Sequence, residues 1–260
     1  MSHNNTRFRI GAVSYLNTVP LVWGMLHGDQ QDQVDLSFSL PSLCAVEVGR
    51  GQTDIGLVPV AEIARQGFLI VPGVGIAATG PVRSILLFSK VPWKAVKTLA
   101  ADSSSRTSVE LARVILRERF GADPVVLRNE PNLEAMMQTA DAALIIGDPA
   151  LRIEPNHEKY KWLDLAAEWV GLTGLPMVFA AWAGKPGIPV AALQEITVQS
   201  YQYGKERLQD IVEQEYAKRR ISKDLAGRYL REHIHFELGS REQQGLETFF
   251  SMAGLVEAAA

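Results

Sequence analysis

The sequence predicts an α/β protein of two lobes, joined by two crossing strands and followed by a helical C-terminal segment. Three observations carry that reading. Strand-like and helix-like runs alternate through the first 65 residues. A second alternating block runs from residue 98 to 147. After Pro189 the pattern turns almost wholly helical. Alternation of this kind builds a parallel sheet covered by helices, with ligands held along the edge where strands end and helices begin.

Residues 8–13 read as the first strand, and Asn17-Thr18 then opens a helix to about His27, with Pro20 tolerated in its first turn. Residues 34–39 alternate as a strand, 42–49 read as a short helix ended by Gly51, 54–59 as a buried strand and 60–65 as a helix. The apolar run 82–89 closes this block. The second block reads as strand 98–102, helix 107–120, strand 124–128, helix 133–139 and strand 141–147, with a turn of helix from Asp148-Pro149. Residues 160–165 read as a short strand and 175–182 as an apolar one. Helices are expected over 190–217, over 222–232 from a Ser222 cap, and over 240–253. The stretches 82–89 and 177–184 are expected to cross between lobes as hinge strands, since neither is a glycine-rich linker. The expected lobes are residues 1–88 with 185–260, and residues 89–184, the C-terminal helices returning to cover the first.

The bulk properties exclude several classes. With 260 residues and 47% hydrophobic content the chain can bury a substantial core. A formal net charge of −3 and no dense Lys/Arg patch speak against a nucleic-acid partner. No apolar run reaches the ~18 residues of a membrane span. Cys44 is the only cysteine, so neither an intrachain disulfide nor a cysteine metal site can form. Residues 1–10 are polar and lack the apolar core of a secretory signal, so a cytoplasmic protein is expected, although a mature chain whose signal had been removed would read the same. No metal or organic cofactor is expected. His233 and His235 form an HxH pair, but no third ligand pattern lies nearby, and a solvated helix end is expected there. GxSxG, HExxH, GxGxxG and Walker patterns do not occur.

Four junctions can carry chemistry. The richest is the stretch 103–108, Ser-Ser-Ser-Arg-Thr-Ser, between an expected strand and an expected helix. The first N–H groups of a helix have no internal partner and the helix dipole is positive there. Five hydroxyls and Arg106 in six residues therefore read as an anion site. Without a glycine-rich phosphate loop, a carboxylate fits better than a nucleotide. The plain alternative is one hydroxyl acting as N-cap. In Ser14-Tyr15-Leu16-Asn17, Asn17 reads as an N-cap or a ligand contact, and Tyr15 as a partly buried aromatic or a ligand contact. In the stretch 80–84, Arg83 reads as a carboxylate partner or a surface ion pair, and Ser84 matters only if it faces a cleft. In Ile146-Gly147-Asp148-Pro149, Asp148 is most simply an N-cap, with a functional role as the alternative. No histidine lies in these turns, so the expected cleft is poor in strong bases. That suits a binding protein, or an enzyme whose substrate brings its own base.

Taken together, Ser14–Asn17, Leu57-Val58-Pro59, Gly73-Val-Gly-Ile76 with Gly80–Ser84, Ser104–Ser108, Ile146–Pro149 and Gly174-Leu-Pro176 resemble the chorismate dehydratase family of the futalosine route to menaquinone, in order over about residues 8–255. The resemblance implies the two-lobed fold of type II periplasmic binding proteins, in a cytoplasmic hydro-lyase. It implies loss of water from chorismate to give 3-[(1-carboxyvinyl)oxy]benzoate, driven by aromatisation. By the family pattern Asn17 is catalytic and lines the reacting face with Ser84, while Ser105, Arg106, Thr107 and Ser108 hold a substrate carboxylate; Tyr15 and Asp148 complete the candidate contacts. The expected mechanism is substrate-assisted: the enolpyruvyl carboxylate takes the ring proton inside a closed cleft. The alternatives are the related 1,4-dihydroxy-6-naphthoate synthase, whose Cys-Pro-Asn-Asp pattern is absent here, and a non-catalytic binding protein for a small carboxylate. The expected partner is the small molecule, with oligomeric state left open.

Overall fold

A computed structural model of the chain describes residues 7–102, 106–157 and 159–255. In order these form β1 (Phe8–Val13), α1 (Val19–His27), β2 (Val34–Ser39), α2 (Pro41–Gly49), β3 (Ile55–Pro59), α3 (Val60–Gln66), β4 (Leu69–Ala78), β5 (Ile85–Ser89), β6 (Thr98–Asp102) and α4 (Arg106–Phe120). There follow β7 (Val125–Asn129), α5 (Leu133–Thr139), β8 (Ala142–Ile146), α6 (Gly147–Leu151), β9 (Lys161–Asp164), α7 (Leu165–Thr173) and β10 (Met177–Gly184). The C-terminal part holds α8 (Val190–Lys205), α9 (Leu208–Glu215), α10 (Lys223–Arg228), a π-helical turn Tyr229–His233, β11 (His235–Leu238) and α11 (Ser240–Met252).

Two sheets result, one of six strands in the order β11-β4-β10-β3-β1-β2 and one of five in the order β7-β6-β8-β5-β9. Both are mixed. β1, β2 and β3 run parallel, as do β6, β7 and β8, but β10 is antiparallel to β3 and β4, and β5 is antiparallel to β8 and β9. Each block of parallel strands comes from a βαβ crossover. β5 and β10 are the first strands after each change of sheet, and returning chain enters reversed. The central strands β3 and β8 are buried along their whole length, as their unbroken apolar runs require.

The helix that leads out of β1 is seated unusually deeply. A Cβ on Gly24 would lie 2.5 Å from the Ser200 Cα, and one on Gly204 would lie 2.2 Å from the Pro20 carbonyl oxygen. Small residues therefore let the backbones of α1 and α8 touch. Ser200 completes the contact by donating to the Leu21 carbonyl at 2.8 Å and accepting from the Met25 N–H at 3.1 Å. This fixes the axis of α1, and with it the turn at its start.

The structure departs from the sequence expectations at identifiable places. β4 is unmarked in the sequence because Pro72, Gly73 and Gly75 break its alternation; Gly73 has a positive φ of 111° and the pairing with β10 is twice shifted in register. The run 82–89 begins its strand only at Ile85. Residues 82 and 83 instead turn, and their N–H groups donate to the Asp164 carboxylate at 3.1 and 2.7 Å. The same carboxylate caps α7, a helix the sequence reading left out, by accepting from Ala166 and Ala167 at 3.1 Å. The helix expected over 190–217 breaks between Lys205 and Leu208, and the one over 222–232 widens into the π turn from Tyr229. His233 does end a helix, the π turn, but it is half-buried with its Nδ1 2.9 Å from the Pro81 oxygen, and His235 begins β11.

Gly204→Ala forces the α1–α8 backbones apart, and overpacking of this kind costs roughly 1–3 kcal/mol. A urea midpoint lowered with unchanged slope is the expected outcome.

Candidate functional site

Four strand-to-helix junctions, two from each sheet, converge on one cavity. They are the junctions after β1, β3, β6 and β8. This is the edge at which open α/β sheets hold ligands. Val13, Leu57, Ile76, Val82, Ile146 and Phe179 form apolar walls. Tyr15, Asn17 and Thr18 enter from the turn before α1, Ser84 from the turn before β5, and Arg106, Thr107 and Ser108 from the first turn of α4. Among the described lining residues there is no Asp, Glu, His, Lys or Cys. In low-dielectric walls the few polar groups act more strongly than they would in water.

Two of these polar atoms lack partners. Thr18 Oγ1 and Arg106 Nε are buried without a hydrogen bond. An unsatisfied buried polar atom costs about 1–3 kcal/mol, so a ligand that reaches either atom gains by pairing with it. Asn17 is not an N-cap. Its Nδ2 donates to the Tyr229 hydroxyl at 3.1 Å, and that hydroxyl donates to Ser84 Oγ at 2.9 Å. Burial holds the Tyr229 phenol well above its usual pKa, so it stays a neutral donor. Ser84 in turn is seated by its carbonyl, which accepts from the Gly147 N–H at 2.8 Å.

The cavity is closed by contacts between elements of the two sheets. Tyr15 packs its ring on Gly147, where φ is +62° and an added Cβ would lie 2.8 Å from the ring. Only glycine meets both demands. The Thr107 Oγ1 accepts from the Ala61 N–H at 3.2 Å, and Arg65 pairs with Glu110. Asp148 accepts from the Leu16 N–H at 3.0 Å and pairs with Arg219 at 2.8 Å. Arg219 also donates to the Ser14 carbonyl and pairs with Glu215 at 2.9 Å. Burial alone would lower the Arg219 pKa, but Asp148 and Glu215 outweigh it and hold the guanidinium above its ordinary value.

Of the residues singled out in the sequence, Tyr15, Asn17, Ser84, Arg106, Thr107 and Ser108 all line one cavity. Ser103, Ser104 and Ser105 lie outside the described residues. Asp148 is not in the lining, nor is it an N-cap, a position held by Ile146; both of its oxygens are taken by Leu16 and Arg219. Arg83 turns away as well, with a positive φ of 65° and its guanidinium donating to the Ala150 and Ile153 carbonyls. Sequence reasoning missed Thr18, Arg219 and Tyr229. Thr18 was legible as one more hydroxyl at a helix start. Arg219 and Tyr229 sit more than 200 residues from their partners Ser14 and Asn17, in a stretch with no motif. Among the described residues no group of three His, Cys, Asp or Glu could hold a metal ion, and no helix is long and apolar enough to cross a membrane.

A family model described as Menaquinone biosynthesis matches residues 8–254, and the chain belongs to that family. The chain is similar to a chorismate dehydratase of Thermus thermophilus, 29% identical over 202 residues, covering 72% of this chain and 73% of that protein. It is also similar to a chorismate dehydratase of Campylobacter jejuni, 26% identical over 245 residues, covering 92% and 94%. These relatives support an enzymatic role in menaquinone biosynthesis. Among solved structures, a protein from Archaeoglobus fulgidus superposes with a TM-score of 0.76 at 16% identity, covering 98% of this chain and 100% of the other. A Candida albicans gene product described as having the generic periplasmic binding protein fold gives 0.70 at 13% identity, covering 98% and 92%. The fold is periplasmic-binding-protein-like.

Asp148→Ala removes one partner of a largely buried ion pair and frees the Leu16 N–H. A loss of about 2–3 kcal/mol is expected, below the full cost of breaking a buried pair because Arg219 is partly exposed. Chemical denaturation measures it, and small-angle scattering should show a larger radius of gyration.

Proposed function

We propose that this member of the menaquinone biosynthesis family is a chorismate dehydratase, a hydro-lyase converting chorismate to 3-[(1-carboxyvinyl)oxy]benzoate. One observation carries the reading. The described lining of the cavity holds a single cation, Arg106, among hydroxyl and amide groups, and contains no carboxylate or imidazole to act as base. Such a site suits a small dicarboxylate that carries its own proton acceptor. The two curated relatives named chorismate dehydratase support the same substrate.

In this reading Arg106, Thr107 and Ser108 hold one carboxylate at the start of α4, where the helix dipole adds to the charge-assisted bonds. Thr18 supplies a further hydroxyl. Asn17 and Ser84 face the reacting carbons, and Tyr15 packs beside them. Asp148 acts by tying the walls together. The enolpyruvyl carboxylate removes the proton at the ether-bearing carbon. The neighbouring carbon–oxygen bond then breaks, the hydroxyl departs with that proton as water, the carboxylate is restored and the ring becomes aromatic. Closure supplies orientation and excludes bulk water. In this reading each sheet is the core of one lobe, β1–β4 with β10 and β11 in one and β5–β9 in the other, and the enzyme works in the cytoplasm.

Purified protein incubated with chorismate should give the benzoate product, seen by its ultraviolet band and by mass spectrometry. Unchanged chorismate would mean a carboxylate-binding protein instead. Asn17→Ala should lower kcat by about 10²–10³-fold, the scale for losing one preorganised polar group at the reacting centre. Arg106→Leu should raise KM roughly 10- to 100-fold, as expected for losing a charge-assisted bond. Wild-type kinetics in either variant would contradict the assignment.

A further inference from the structure

The two polar residues assigned to the reacting face come from different turns, and a third residue from neither turn joins them. Tyr229 is 1% exposed and is the first residue of the π-helical turn, whose widened loop is closed by the Ile234 N–H donating to the Tyr229 carbonyl at 3.1 Å. Single π turns inside helices recur at functional sites. The Tyr229 hydroxyl accepts from Asn17 Nδ2 at 3.1 Å and donates to Ser84 Oγ at 2.9 Å.

A phenol has one proton to give. Because it goes to Ser84, the Ser84 oxygen acts as acceptor on that side and its own proton remains free to donate. Because the phenol oxygen accepts from Asn17, the amide nitrogen is fixed toward Tyr229 and the amide oxygen toward the other side. We propose that Tyr229 is a positioning residue that sets the donor–acceptor polarity of the cavity, so that Ser84 presents an O–H and Asn17 a carbonyl oxygen to the bound substrate. This rests on the dehydratase reading and adds to it a residue that touches no substrate atom. The Ser84 O–H then faces the departing oxygen, where negative charge grows as the carbon–oxygen bond lengthens. Without the phenol both side chains are free to rotate, and the ground-state complex, held elsewhere by Arg106 and the α4 turn, is little affected.

Tyr229→Phe removes one oxygen and keeps the ring in place. In the full-length protein it should lower kcat about tenfold or more while KM stays within about threefold, the pattern of an interaction used only in the transition state. Its melting temperature should stay within a few degrees of wild type, since the ring packing is kept. Wild-type kcat, or a loss confined to KM, would overturn the proposal. A second readout is independent of turnover. In wild type one Asn17 side-chain amide proton should be protected from exchange, and in Tyr229→Phe that protection should vanish; equal protection in both would overturn the proposal. If wild-type protein forms no product from chorismate, the dehydratase reading fails by itself, and the amide protection alone decides whether Tyr229 orients Asn17.

Discussion

One buried carboxylate holds the working parts of this molecule in register. Asp148 lies in the β8–α6 junction of the five-stranded sheet, yet its two oxygens serve the other sheet's leading turn, through the Leu16 N–H and through Arg219, which also holds Ser14. Every polar residue of the β1–α1 turn follows directly on this anchor. The anchor is expensive to remove because the Leu16 N–H would lose its partner and Arg219 one of its two acids, in a region largely closed to water. Glu215 steadies the arrangement from the far side, so that Arg219 stays charged between two acids.

The cavity that this anchoring shapes is defined by restraint. Its walls are apolar and its described polar lining is neutral except for Arg106. Charged acid–base groups in such a place would be costly to bury and would titrate away from their useful range. Hydroxyls and amides avoid that difficulty. They hold orientation at any pH, and their strength comes from the dry surroundings and not from ionisation. Catalysis of this style depends on where dipoles point, so residues that aim them matter as much as residues that meet the ligand.

The legibility of these features followed sequence distance. The strand-to-helix turns at Asn17, Arg106–Ser108 and Gly147 were readable because their chemistry is local: an apolar run, a polar turn, a helical run. The alternating blocks were readable for the same reason. What stayed hidden was set by tertiary contact. β4 hid behind Pro72 and Gly73 because its pairing with β10 tolerates bulges that a period-of-two rule does not. Arg83 read as a carboxylate ligand or a surface ion pair; its guanidinium pairs with Glu154 at 3.8 Å and donates to the Ala150 carbonyl, while its backbone N–H is taken by Asp164. Asp148 looked like a cap because the partner that claims it, Arg219, lies 71 residues on. The π turn at Tyr229 has no compositional mark at all.

The route of the chain through the six-stranded sheet has a consequence for biogenesis. The strands β1, β2 and β3 leave the ribosome early, but β10 and β11 that complete their sheet, and the α8 surface on which α1 rests, come from the last third of the chain. The turn bearing Asn17 is thus synthesised well before its native partners Tyr229 and Arg219. Such long-range closure slows folding and leaves apolar strand edges open meanwhile. Until β10 is made, the β3 edge of that sheet lacks its partner.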